Sequence, residues 1–238
     1  MLVVKSYSKE HENKWEGFVG SSVNGTFMQE RKFLGYHPSD KFSDHSLIFM
    51  EDKRIIAVLP VAVVQQADKR ILYSYPGDSH GGLIIKSSLS TKKCLELVSA
   101  LVEYCAMNGF DYIRLKPVPR VYHSGLSDQL DFALRFSGFE IEYTELATAL
   151  ELKKGEDHFL KQVMSSTAFR NYQKALKCGL SVIEDADIND YWAVLENKLE
   201  HCPRRLIPAH AAAKPDFWLY DGVGTKKQFY LFGLGYFH

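Results

Sequence analysis

The chain has 238 residues, 46% hydrophobic and 24% charged, a composition that supports a packed core and excludes a disordered polyelectrolyte. Its 29 basic residues balance 29 acidic ones, so bulk charge gives no argument for nucleic acid or a membrane surface as a partner, and any such contact would need a local patch. The four cysteines (Cys94, Cys105, Cys178 and Cys202) form no C-x-x-C pair and no zinc spacing with histidine, which predicts no metal, reduced thiols and a cytoplasmic protein. The first residues, MLVVKSYSKEHENKW, lack the apolar core of a signal peptide, and no stretch approaches the ~18 apolar residues of a membrane span, so no transmembrane segment is expected.

In chain order, residues 2–6 read as a short strand and 9–21 as an amphipathic helix with Trp15, Phe18 and Val19 at helical spacing. NGTF (24–27) is a turn signal, and 28–45 reads as a short helix plus loop. A β meander follows: 46–52, a tight Asp52-Lys53 connection, 54–66, a turn at ADKR, and 71–76. Pro60 cannot donate to a central ladder, so a bulge or an edge is expected there.

Residues 90–108 give the clearest helix, capped by Ser90 or Thr91 and followed by Gly109, with Leu95, Val98, Leu101, Val102 and Cys105 as its buried stripe. A strand is expected at 111–119, a helix at 125–137 closed by Gly138, and an alternating strand at 139–152. The pattern then restarts with a basic-faced helix (156–178), a strand (180–185) and a helix (187–201). Beyond Pro203 it breaks into proline-rich, then aromatic and glycine-rich sequence without clear elements; the ending FYLFGLGYF reads as an aggregation-prone tail. The order implies an α/β chain of mixed α+β type, a mixed sheet with helices on both faces, and a boundary near residue 152. The domains expected are 1–152 and 153–238.

This order resembles the GNAT fold of N-acyltransferases. Residues 15–63 are similar to the N-terminal half of the Fem-like branch, which includes peptidoglycan aminoacyl transferases: Trp15 and Phe18 on the first helix, NGTF, a strand ending in Leu59-Pro60, and the pair Gly81-Gly82 after the next strand. FRNYQKALKCGLSVIED (169–185) resembles that branch's R-x-x-x-K-A-x-x-x-G helix, which opens a second domain. The resemblance implies two tandem GNAT-like copies with a substrate channel between them. It also implies transfer of an acyl group, from acyl-CoA as the favoured co-substrate, to a small-molecule amine or amino-sugar acceptor of the cell envelope or a polysaccharide precursor. No Q/R-x-x-G-x-G/A stretch follows a strand, so the second copy is expected to be incomplete, from a truncated or frameshifted chain whose tail from about residue 203 is foreign to the family. Two rivals follow. One is a non-catalytic binding or scaffold remnant of the fold; the other is an aminoacyl-tRNA-dependent transferase, in which tRNA alone would be the nucleic acid.

Acyl transfer to an amine needs a proton acceptor, a stabilised oxyanion and good positioning, and much of that is supplied by main chain. The stretch YSYPGDSHGGLII (73–85) suits it: Asp78 or His80 as proton acceptor, with Ser79, Gly81 and Gly82 against substrate. The bland reading is a hydrophilic hairpin turn whose glycines supply positive φ. His37 sits in a loop like the family's YHP and is a cleft-lining candidate, although a histidine in an exposed loop is ordinarily just solvated. Arg114 and Lys116 share one strand face, on the cleft side or simply exposed. Arg170, Lys174 and Lys177 fall at i, i+4 and i+7, a stripe for phosphates or a solvated face. No serine or cysteine lies in a nucleophile elbow, so direct attack by the amine is expected.

Overall fold

The computed structural model describes residues 2–37, 41–144, 146–148, 159–181, 187–200 and 235–236. Its N-terminal part runs β1 (Leu2–Ser6), α1 (Glu12–Gly20), α2 (Arg31–Leu34), β2 (Ser43–Asp44), β3 (Leu47–Glu51), β4 (Arg54–Leu59), β5 (Ala62–Gln66), β6 (Lys69–Tyr73), β7 (Ile84–Ile85), α3 (Thr91–Met107), β8 (Tyr112–Arg114) and α4 (Gln129–Phe136). The architecture is mixed α+β, as expected, but the strands divide into two four-stranded sheets rather than one. The first has the order β1-β3-β4-β7 and the second β2-β5-β6-β8. The first is antiparallel throughout; the second has one parallel pair, β6 with β8.

Between β2 and β7 the chain changes sheet three times. It leaves β2 through His45-Ser46 for β3, leaves β4 through Pro60-Val61 for β5, and leaves β6 through residues 74–83 for β7. The run 54–66 is therefore two strands in two sheets. Pro60 marks the break because it has no N–H to continue either ladder. The first two passages are tied together: the His45 N–H donates to the Val61 carbonyl at 2.9 Å, and the Val61 N–H donates to Ser46 Oγ at 3.4 Å. Arg31 clamps the same place. It ion-pairs with Asp44, donates to Ser46 Oγ at 3.0 Å, and lies 3.9 Å from the centre of the Tyr7 ring.

Alternation along β3 and β4 divides the core between two faces. Leu47, Phe49, Ala57 and Leu59 pack with Cys94, Leu97, Val98, Leu101 and Cys105 of α3 and with Leu130, Ala133 and Leu134 of α4. Ile48, Val58 and Ile84 point the other way, onto Trp15, Phe18 and Val19 of α1. Helices thus cover both faces of the first sheet. The α3 stripe is rotated from the expected one: Cys94 and Leu97 are buried, whereas Leu95 is only partly covered and Val102 is exposed. Positions 94, 97, 98, 101 and 105 make the continuous helical stripe, with the small Cys94 packed where Leu95 was expected. Ser90 caps α3 by accepting from the Lys93 N–H.

Asp52 and Lys53 both take positive φ (47° and 66°), forming the two-residue turn that the tight connection required. The expected strand 139–152 is not regular. Residues 139–144 have no strand structure, β9 spans Ala147–Thr148 and pairs with β10 (Gly235–Tyr236), and residues 145 and 149–152 lie outside the described residues. The single helix expected at 156–178 is two, α5 (Phe159–Val163) and α6 (Ser166–Lys177), because Ser165 caps a new start by accepting from the Ala168 N–H. α7 spans Ile188–Glu200. Most of the expected strand 180–185 and of the tail beyond residue 200 lies outside the described residues. Among the described residues no helix is long and apolar enough to cross a membrane.

Leu59 is fully buried at the end of β4, immediately before the proline break. Leu59→Ala is expected to lower unfolding free energy by about 2–5 kcal/mol in urea denaturation. A loss within ~0.5 kcal/mol would contradict this packing.

Candidate functional site

The third passage between sheets, residues 74–83, carries the candidate site. It is pinned to the chain after β8 by consecutive bonds. The Ser74 N–H donates to the Arg114 carbonyl at 2.9 Å, the Lys116 N–H donates to Ser74 Oγ at 2.6 Å, and the Gly81 N–H donates to the Lys116 carbonyl at 2.7 Å. Gly81 forms a parallel bridge with Pro117. The Lys116 ammonium donates to the Asp78 carbonyl and lies 5.4 Å from the centre of the Tyr73 ring. The loop is therefore folded inward, and the solvated-hairpin reading does not describe it. Asp78 is 2% exposed and His80 4% exposed.

The two glycines have different reasons to be glycine. Gly82 has φ +77°, and a Cβ there would meet Pro117 Cα at 3.3 Å. Gly81 has ordinary φ, and its nearest would-be contact is Ser74 at 3.5 Å. The Gly81 N–H, expected to face a ligand, is engaged by Lys116 and is not a free oxyanion donor.

Burial pushes the Asp78 carboxyl up to about 8, although the Lys116 charge pulls the other way. Burial, with Lys116 acting in the same direction, lowers His80 to about 4, so its imidazole is neutral near pH 7. The His80 tautomer follows from its neighbours. Thr26 caps a single 3-10 turn (Phe27–Gln29) in a capping box with Gln29 and donates to Gln29 Oε1 at 3.0 Å. His80 Nε2, 3.2 Å from Thr26 Oγ1, must then donate to it, which leaves Nδ1 as the bare acceptor. Gln29 Nε2 donates to the His80 carbonyl at 3.2 Å, and the Trp15 indole donates to the Gln29 carbonyl at 2.7 Å. The Tyr122 ring stacks on the imidazole at 5.7 Å and 8°.

Three consecutive residues hold buried polar atoms with no hydrogen-bond partner among the described residues: Asp78 Oδ1, Ser79 Oγ and His80 Nδ1. Each such atom ordinarily costs about 1–3 kcal/mol, so three in succession mark a place shaped by something other than stability. Thr26, Gln29 and Tyr122 were not foreseen as part of this site. The T-x-x-Q capping pattern at 26–29 was a usable signal for the first two; nothing in sequence announces the stacking of Tyr122.

The remaining sequence candidates are dispersed. Lys116 joins the site. Arg114 does not: it pairs with Glu142 at 2.9 Å. His37 is not in an exposed loop but buried, its ring 4.0 Å from Tyr36 and 4.8 Å from Phe42, which in turn lies 5.6 Å from Tyr75. Aromatic packing, invisible in the local sequence, draws that loop inward toward the start of the 74–83 passage. Arg170, Lys174 and Lys177 lie on α6, which has no buried residue. A small pocket adjoins the site through Gly82 and Pro117, but Asp78 and His80 do not line it. Among the described residues no group of three His, Cys, Asp or Glu is placed to hold a metal.

No protein-family model matches the chain. No curated protein matches it either. Among solved structures it is similar to a ribosomal-protein-alanine N-acetyltransferase from Brucella melitensis biovar Abortus 2308, with 8% identity, 63% of this chain and 100% of that chain covered, and a TM-score of 0.43. It is similar to an aminoglycoside acetyltransferase from an uncultured soil metagenomic sample (15% identity, 63% and 99% covered, TM-score 0.41). It is also similar to a GNAT family acetyltransferase from Staphylococcus aureus subsp. aureus USA300_TCH1516 (11% identity, 53% and 94% covered, TM-score 0.38). Likeness at this level carries no argument by itself.

Two measurements check the geometry. Gly82→Ala is expected to destabilise by about 1–2 kcal/mol or more, from the left-handed backbone and the Pro117 contact, while Gly81→Ala costs less; equal losses in paired denaturation curves would contradict the assignment. The second is pH dependence. Asp78, raised from 3.8 to about 8, favours the folded state most at low pH and loses that contribution as pH rises toward 8. His80, lowered from 6.5 to about 4, contributes above 6.5 and loses that as pH falls toward 4. The two slopes oppose each other between pH 4 and 6.5, and from 6.5 to 8 Asp78 acts alone, at up to ~1.4 kcal/mol per pH unit. Asp78→Asn is expected to remove the decline above pH 6.5; a variant profile parallel to the wild type would show that Asp78 titrates elsewhere.

Proposed function

We propose that the protein is an N-acyltransferase of the GNAT type, Fem-like in its sequence resemblance, which moves an acyl group from acyl-CoA to a primary amine. The observation that carries this reading is the Asp78 carboxyl: 2% exposed, raised to about 8, and with a buried oxygen lacking a hydrogen-bond partner among the described residues. An amine attacks a thioester only as the free base, and a general base works best with a pKa near the working pH. An ordinary carboxylate near 4 is too weak for that task; a buried one near 8 is matched to it. His80 Nδ1, neutral and bare, supplies a second acceptor for the amine hydrogens, and Ser79 Oγ a third.

In this mechanism the ionised form of Asp78, about a tenth of the molecules at pH 7 for a group near 8, takes the ammonium proton as the amine binds. The amine nitrogen then attacks the acyl carbonyl directly, and the thiol departs with a proton. The main chain of Lys116 holds the 74–83 loop in place, and its ammonium sets the local field for both Asp78 and His80. Phosphates of the donor would be met by the exposed basic face of α6, Arg170, Lys174 and Lys177. The proposed acceptors are amino sugars or peptidoglycan-type precursors of the cell envelope, in keeping with the sequence resemblance, and the proposed compartment is the cytoplasm.

The test is a thiol-release assay with acetyl-CoA against a panel of amino sugars and short aminoacyl peptides. The expected result is turnover with at least one acceptor, and a fall of about 10²–10⁴-fold in kcat/KM on Asp78→Asn with acetyl-CoA affinity retained. Binding of acetyl-CoA without turnover of any amine would favour a binding protein, and full activity in Asp78→Asn would remove the proposed base.

A further inference from the structure

The pocket beside Gly82 holds an arrangement that the acyltransferase reading does not use. His123 and Ser127 both line it, with Asn24, Pro117 and Leu130. His123 Nδ1 lies 2.6 Å from Ser127 Oγ, and His123 Nε2 lies 3.0 Å from the Val118 carbonyl. A carbonyl only accepts, so Nε2 carries the ring proton and donates to Val118. Nδ1 of the neutral ring is then a lone pair, and the Ser127 hydroxyl donates to it. These are the parts of an activated nucleophile: a hydroxyl, a base at hydrogen-bond distance, and a third group that fixes the tautomer of the base. Ser127 is 5% exposed, and His123 is half-buried. Asp131 lines the pocket as well but is held by Arg120 at 2.6 Å, so the orienting group is the Val118 carbonyl rather than a carboxylate.

We infer that Ser127, with His123 as its base, is a nucleophilic site for small activated acyl groups, separate from Asp78 and His80. In the step, His123 Nδ1 takes the proton from Ser127 Oγ as Oγ bonds to the acyl carbon of a thioester or activated ester. The bond from that carbon to the leaving sulfur or oxygen breaks, and the proton passes from Nδ1 to the departing thiolate or alkoxide. The product is an ester on Ser127. The small volume of the pocket favours a short acyl chain.

The experiment treats the full chain with p-nitrophenyl acetate and maps adducts by intact-mass and peptide mass spectrometry. The expected result is one hydroxylamine-labile acetyl group on Ser127, as an ester requires. His123→Gln is expected to slow its appearance by about 10²–10⁴-fold, the range of general-base assistance. Ser127→Ala should abolish it, and Ser124→Ala, at an exposed neighbour, should not. Acetyl groups confined to lysines, or an unchanged labelling rate in His123→Gln, would overturn the inference and leave the His123–Ser127 bond as a loop staple. Should Ser127→Ala fail to fold, the wild-type adduct map and the His123→Gln rate decide the matter alone.

Discussion

The structure around the candidate site depends on one residue's main chain. Lys116 follows β8, and its N–H and carbonyl are taken by Ser74 Oγ and the Gly81 N–H, one on each side of the loop that crosses between the sheets. Those two bonds draw a sequence rich in polar residues into the interior, where water would otherwise have solvated it. Everything electrostatic at the site follows from that inward fold. A carboxyl and an imidazole are both driven toward their neutral forms, and the Lys116 ammonium biases both. Because desolvation outweighs that charge at Asp78, the carboxyl is a base of moderate strength rather than half of a tight ion pair.

The split into two sheets explains why the loop exists at all. An antiparallel meander would have closed β6 onto its neighbour with a two-residue turn, as happens at Asp52-Lys53. Instead β6 belongs to the second sheet and β7 to the first, so ten residues must bridge them. The first sheet is clad by α1 on one side and by α3 and α4 on the other. The bridge lies against the first of these layers through Gln29, Thr26 and Tyr122. The Trp15 bond to Gln29 links that helical layer to the His80 carbonyl, so a core residue of α1 holds the partner that fixes the His80 backbone.

Much of this was legible in the sequence, and the parts that were not share a physical cause. Local signals worked where local physics decides. Trp15, Phe18 and Val19 at helical spacing are buried, Ser90 caps its helix, and Asp52-Lys53 turns a hairpin. The Gly81-Gly82 pair was expected to face a ligand; in the structure Gly82 meets Pro117 and the Gly81 N–H is taken by Lys116. Partner choice was not legible. That Pro60 ends one sheet and begins another depends on which strands lie beside β4 and β5, and no residue between 54 and 66 encodes that. His37 looked solvated because its loop is polar, but it is buried against Tyr36 and Phe42, and Phe42 in turn packs on the remote Tyr75. The 139–152 run alternates like a strand, yet residues 139–144 form no ladder with any described strand, and alternation alone does not make one.

The central claim is that burial holds the Asp78 carboxyl protonated into the neutral range. The most direct measurement is a carbon-13 NMR titration of the Asp78 side-chain carboxyl, assigned by its loss in Asp78→Asn. The account predicts a midpoint near 8, well above the ordinary aspartate value. A midpoint near 4 would mean that the carboxylate is solvated or tightly paired, and would contradict both the inward fold of the loop and the base assigned to it.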